Sequence, residues 1–414
     1  MLGSRKISQE KVKNRWIVVI GAILVQLALG SIYSWGTLTL FISGGAFLKE
    51  PAEVTVYIFG VSLLIFGFTM IFAGKLQQKY DPKKIAIIGG MLIGIGAISS
   101  AGMTSFIGLL ITYGIIFGAG IGFAYVCPIA CAAKWFPDKK GFINGIAVAG
   151  FGAGAFLFNY FIKWFSVLSV PTMFILLGII YLAFVLSGAM TLNNPPEVWT
   201  PANWTPPPPS EDTGISGLDL NREEMIKHKQ FWMLWTTFIF SAICGLMTIG
   251  AYSSFAKSSA AYPINATDFL IIVGSLAALF NGIGRIFWGK MSDIIFYKKA
   301  MMIMFTIQGV LMITLFFTSG SELFFLIWIC SIYFCFGGNF AMFPTATSDL
   351  FGTKNLGENY GVVFTSYGIA GFLGATMVLT FVTLLGGYIV LFIVMGIMSF
   401  GATIITFILK PPKN

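Results

Sequence analysis

One cationic side chain interrupts an otherwise uncharged apolar run: Arg285, in Leu279-Phe280-Asn281-Gly282-Ile283-Gly284-Arg285. A guanidinium can hold one carboxylate through two parallel hydrogen bonds, which a lysine ammonium does not reproduce. Gly274, Ala278, Asn281 and Arg285 recur at three- and four-residue spacing, so on a helix they form one small, polar stripe of the kind that faces other helices. The chemistry this points to is capture of an anion, with the Asn281 amide beside the guanidinium. A competing reading has Arg285 snorkelling to the nearby surface, since Lys290 follows within about 7.5 Å of helix. Softer candidates for a polar cavity are Tyr33, Trp35, Tyr125, Tyr252, Asn339 and Tyr367. No set for covalent or acid–base catalysis accompanies them. The 16 acidic residues fall in loops or at run ends, His228 is the one histidine, and the five cysteines lie in apolar runs as small packing residues.

The elements that must position Arg285 follow from composition. The chain is 57% hydrophobic and 10% charged, with a mean hydropathy of +0.86, far from the composition of soluble domains. About 20 apolar residues cross a hydrocarbon core of roughly 30 Å as a helix. Twelve such runs are predicted, near 16–42, 54–74, 85–104, 106–133, 142–165, 168–192, 231–256, 268–289, 300–319, 323–347, 359–385 and 388–409. The first outlasts a signal-peptide core and is read as a retained helix. A guanidinium near the bilayer centre costs about 2.5 to 3.5 kcal/mol and is kept there for function.

Positive charge reports topology here rather than nucleic-acid binding. Lys49, Lys163 and Lys257 fall in one set of connections and Arg285 within a run; the other 21 of the 25 basic residues lie in the termini and the alternate connections. The positive-inside rule makes that side cytoplasmic. The expectation is a multi-pass protein of the cell (inner) membrane with both termini inside, the lipid bilayer as partner and no nucleic acid.

The sequence also repeats itself. Gly74-Lys75-Leu76 with Asp81-Pro82-Lys83-Lys84 answers to Gly289-Lys290-Met291-Ser292-Asp293 with Lys298-Lys299, 215 residues later. Trp135-Phe136-Pro137 with Gly150-Phe151-Gly152 answers to Leu350-Phe351-Gly352 with Tyr367-Gly368 at nearly the same offset. Between the repeats, Asn193-Asn194-Pro195-Pro196 and Pro206 to Pro209 cannot bury a core. The predicted organisation is a six-helix bundle over 1–192, a cytoplasmic Pro-rich linker over 193–230 with a short helix near 221–228, and a second six-helix bundle over 231–414. Gly74, Asp81, Gly289 and Asp293 mark the pseudo-symmetric loops expected to govern conformational change. Parallel six-helix repeats with these loops resemble the major facilitator superfamily, an all-α membrane fold of twelve transmembrane helices that holds substrate at the midplane between halves.

More closely, the chain resembles the oxalate/formate antiporter family, related to the monocarboxylate transporters, in Gly30-Ser31-Ile32-Tyr33-Ser34-Trp35, Gln230-Phe231-Trp232, Asn281 to Trp288 with Gly289 to Asp293, Phe343-Pro344, Asp349 to Gly352 and Asn359-Tyr360-Gly361. That resemblance implies that Arg285 binds substrate carboxylate within an aromatic cage of Tyr33, Tyr125, Phe151, Phe336 and Phe340. In two places the chain departs from it. Tyr367 stands where the oxalate carrier has a lysine, leaving one cation for a dianion. Asn281 stands where animal monocarboxylate transporters have an aspartate, leaving Asp268 as a candidate proton carrier against its plainer role as a first-turn carboxylate. A carrier of small monocarboxylates is expected, with no cofactor or metal, working by proton symport or anion exchange. An oxalate:formate antiporter and a transport-silent sensor are the alternatives.

Overall fold

The computed structural model describes residues 15–136, 140–196, 201, 218–258, 266–352, 355–385 and 387–412. They are helical, with no strand among the described residues. Twelve helices are long and apolar enough to cross a membrane: α1 Trp16–Ile42, α2 Ala52–Gln77, α3 Pro82–Ser100, α4 Phe106–Ala132, α5 Gly145–Ser166, α6 Val170–Ala189, α7 Lys229–Ser258, α8 Thr267–Ser292, α9 Tyr297–Thr318, α10 Glu322–Phe351, α11 Leu356–Leu384 and α12 Tyr388–Ile408. Each expected run coincides with one of them.

Their outward surfaces stay apolar. Ile20, Phe72, Ile107, Phe317, Ile404 and Phe407 are exposed, as suits helices whose solvent is lipid. Inward surfaces are small or aromatic. At Gly152 in α5, an added Cβ would lie 2.5 Å from Asn281 Oδ1 and 2.9 Å from Arg285 Nε of α8, so only glycine lets these two helices meet at that level.

Two helices are interrupted where the site forms. α1 contains a 3-10 turn, Ser31–Ser34, which turns Tyr33 into the interior. α11 breaks at Phe364 between Leu356–Val363 and Thr365–Leu384. There Thr365 and Ser366 donate their hydroxyls to the Val362 and Val363 carbonyls at 2.7 and 2.6 Å, offering the backbone an alternative to the regular ladder.

The termini and linker ends gather on one face, called the linker face below. Arg15 donates to the Trp135 carbonyl at 3.3 Å, and the Trp135 indole and Cys131 thiol donate to the Asn193 carbonyl at 2.6 and 3.0 Å. Leu220 donates to the Phe351 carbonyl at 2.9 Å, while Asn355 and Asn359 donate to the Leu220 carbonyl at 3.2 and 2.9 Å. The short helix expected near 221–228 is one turn, Arg222–Met225, closed by a capping box between Asn221 and Glu224. Of the loop residues, Asp81 caps α3 by accepting from the Lys83 N–H at 2.9 Å, Gly74 has open space around it, Gly289 faces Ala341, and the Asp293 side chain lies outside the described residues.

Candidate functional site

Arg285 is 1% exposed. It does not snorkel. The guanidinium lies across the α5–α8 contact, where Nε donates to Asn281 Oδ1 at 3.1 Å and Nη1 donates to the Val148 carbonyl at 2.9 Å. Its Cζ sits 4.0 Å from the Phe340 ring centroid and 5.4 Å from that of Phe151, so two π faces share its charge. No carboxylate pairs with it among the described residues. Arg285 Nη2 and Asn281 Nδ2 are buried and make no hydrogen bond, a costly arrangement for nitrogen donors inside a membrane protein. Donors left over on adjacent side chains suit an acceptor with two oxygens.

The aromatic residues named from the sequence do come together around this group. Tyr33 packs edge-on against Phe151 at 5.1 Å and Phe336 at 5.8 Å, Tyr125 against Phe151 at 5.3 Å, and Phe340 against Phe336 at 5.3 Å and Tyr367 at 5.4 Å between centroids. The Tyr33 and Tyr367 hydroxyls hydrogen-bond at 2.8 Å, tying α1 to α11. The Tyr33 and Tyr125 hydroxyls also lie near the guanidinium.

Two further rings complete the enclosure and escaped the sequence reading. Phe66 of α2 meets Tyr125 at 5.2 Å and Phe364 at 5.4 Å, and Phe364 meets Tyr125 at 5.5 Å and Tyr367 at 4.9 Å. They floor the site on its linker-face side. Phe364 precedes Tyr367 by three residues, which places both on one helix face and was the available signal. Phe66 had none to separate it from the exposed Phe68.

Other candidates sit elsewhere. Asn339 accepts from the Ser241 hydroxyl at 2.8 Å, and Gln308 donates to the Ser241 carbonyl at 3.1 Å, so Asn339 belongs to a buried cluster of α7, α9 and α10 rather than to Arg285. Trp35 is buried between Phe59 and Tyr113. The Tyr252 hydroxyl meets Thr37 at 3.1 Å and donates to the Leu270 carbonyl at 3.1 Å, toward the face opposite the linker, the far face. Asp268 pairs there with Lys163 at 2.7 Å, with side chains 74% and 38% exposed. It stands 17 residues, about 25 Å of helix, from Arg285, too far to exchange a proton with the site directly.

The twelve-helix architecture agrees with the comparisons. The Major Facilitator Superfamily model matches residues 27–375 and 269–414. The chain is 29% identical to the uncharacterized MFS-type transporter YhjX of Escherichia coli, over 86% of both chains. It is 27% identical to apicoplast pyruvate carrier 1 of Toxoplasma gondii, over 86% of this chain and 82% of that one. With the oxalate:formate antiporter of Oxalobacter formigenes it shares 28% identity over 94% and 89% of the respective chains. Twelve apolar helices among the described residues, with the family model matched along nearly the whole chain, establish that the chain belongs to the Major Facilitator Superfamily.

Proposed function

We propose that this protein is a secondary transporter of small monocarboxylates such as lactate, pyruvate or formate, working by alternating access between α1–α6 and α7–α12. The observation that carries the proposal is the pair of unbonded donors, Arg285 Nη2 and Asn281 Nδ2, inside a ring of aromatic side chains. A carboxylate would take both donors, and the rings would enclose a short hydrocarbon body. The Tyr33 and Tyr367 hydroxyls, bonded to each other, act as one unit that supplies the remaining polar contact. Names of relatives, a pyruvate carrier and an oxalate:formate antiporter, agree with this cargo class. In this reading the linker face is cytoplasmic, in accord with the basic residues gathered there.

A second reading, exchange of oxalate for formate, rests on the antiporter relative. It is disfavoured because Tyr367, hydrogen-bonded to Tyr33, offers no second positive charge for a dianion in a low-dielectric site. The test is uptake of labelled lactate, pyruvate, formate and oxalate into proteoliposomes, with a proton gradient or with internal anion. Monocarboxylate uptake is expected, falling at least about 100-fold in both Arg285→Ala and Arg285→Lys. Gradient-driven uptake into anion-free vesicles would mark symport, and uptake only against internal anion would mark exchange. Near-normal transport by Arg285→Ala overturns the site, and preferred oxalate uptake overturns the cargo.

A further inference from the structure

A chamber of about 220 Å³ opens toward the far face, lined among others by Thr39 of α1, Glu53 of α2, and Ser253, Ser254, Lys257 and Ser258 of α7. It is smaller than the roughly 300–1,000 Å³ of sites for drug-sized ligands, and its hydroxyl-rich wall suits a small polar molecule. Its floor is the seam that closes the far face. Ser253 donates to the Gly36 carbonyl at 2.8 Å and meets Thr39 at 3.5 Å. Just inward, Thr37 meets Tyr252 at 3.1 Å, and Tyr33 of the Arg285 site follows Thr37 by one turn of α1, about 6 Å. Along α1, the Thr37–Tyr252 contact thus lies between Thr39 of the chamber and Tyr33 of the Arg285 site.

The two charges lining it are unequally committed. Glu53 lies in the first turn of α2, where the helix dipole favours it, and accepts from the Tyr388 hydroxyl at 3.3 Å. Lys257 is exposed and has no ion pair among the described residues, and 259–265 contains no acidic residue. Of the other lysines on this face, Lys163 is paired to Asp268 and Lys49 adjoins Glu50 in sequence. The chamber is thus lined by one formal charge of each sign, and Lys257 is the one with no ion pair or hydrogen-bond partner among the described residues.

We infer that this chamber is a second, weaker binding station for the transported carboxylate, in which Lys257 collects the anion from the far face before the Thr37–Tyr252 seam parts. The inference rests on the proposed cargo. Glu53, across the chamber, keeps the anion's stay short, since a pathway site must release what it captures.

The test uses right-side-out and inverted membrane vesicles containing the full chain, with L-lactate offered on either side. Lys257→Gln should raise KM by about threefold to tenfold for lactate on the chamber side only, with maximal rate held within about twofold, and should flatten the dependence on ionic strength. Lys257→Arg should behave as wild type, and Glu53→Gln should lower the same KM. An unchanged KM in Lys257→Gln, or an equal rise on both sides, overturns the station. A flux-independent measurement separates this from the cargo question: Ser258→Cys, with Lys257 intact, should react faster with an anionic than with a cationic membrane-impermeant thiosulfonate, and Lys257→Gln should reverse that order. Equal rates overturn the inference. If wild type moves neither lactate nor pyruvate while the anionic reagent keeps its advantage, the cargo reading falls and the anion-collecting chamber stands.

Discussion

The two closures on either side of Arg285 are built from different materials. Toward the linker face, Phe66, Tyr125 and Phe364 close the site with stacked and edge-on rings. Toward the far face, closure is mainly by hydroxyls, Thr37 with Tyr252 and Ser253 with the Gly36 carbonyl, with the exposed pair Lys163–Asp268 and one ring pair, Tyr57–Phe372 at 5.2 Å between centroids. Opening the ring closure exposes apolar surface to water, and each aromatic pair adds about 0.5–1.5 kcal/mol beyond its buried area. Opening the hydroxyl closure exchanges protein hydrogen bonds for water at a net of about 0.5–1.5 kcal/mol each, and an exposed ion pair adds about 0–1 kcal/mol. The far face is the easier one to open.

The strongest way to break this asymmetry is Phe364→Ala. Removing a buried ring costs about 3–5 kcal/mol in a packed core, so this variant should shift the protein toward opening at the linker face. Faster hydrogen exchange in peptides of α11, with net uptake reduced at least about tenfold, is the expected result. Protection equal to wild type would mean the rings are filler and not a closure.

A smaller effect should follow from Tyr367→Phe or Tyr33→Phe. Each keeps its ring and removes the one hydroxyl bond between α1 and α11. A rise in KM of about threefold to tenfold is expected for either, and the double variant should be little worse than the singles because both remove the same bond. Additive losses would show that the hydroxyls contact the cargo separately.

The smallest effect sharpens the comparison. Lys163→Ala or Asp268→Asn should change uptake by less than about fivefold, and that difference should shrink as salt is raised, because the pair is exposed. A large, salt-independent loss from Asp268→Asn alone would return Asp268 to the role of proton carrier.

Much of this architecture could be read from residue order. Twelve apolar runs are forced by the need to satisfy backbone groups in lipid, and Arg285 stood out because burial of a lone charge is too costly to be incidental. Asn281, one turn away, was legible from the small, polar stripe it shares with Gly274, Ala278 and Arg285. Legibility ended where one residue of rotation mattered. Asn339 and Phe340 are neighbours in sequence, yet about 100° of helix turn sends the first to Ser241 and the second to Arg285. The break at Phe364 depends on two hydroxyls bonding backward to the Val362 and Val363 carbonyls, which serine and threonine in membrane helices often do without breaking them. The far-face chamber arises only when the ends of α1, α2 and α7 are brought together, so no single segment announces it.

Under the proposed function, the Arg285 charge, buried without a carboxylate partner among the described residues, would also make the protein a responder to membrane voltage. Loaded with a monoanion, the site crosses between faces as a neutral unit. Unloaded, it carries one positive charge, and a full charge moved through the whole field is worth about 2.3 kcal/mol per 100 mV. Whatever fraction of the field the site traverses, the electrical work falls on the return stroke alone. One-for-one exchange would be indifferent to membrane potential, whereas any net movement that requires the unloaded protein to reorient would be set by it.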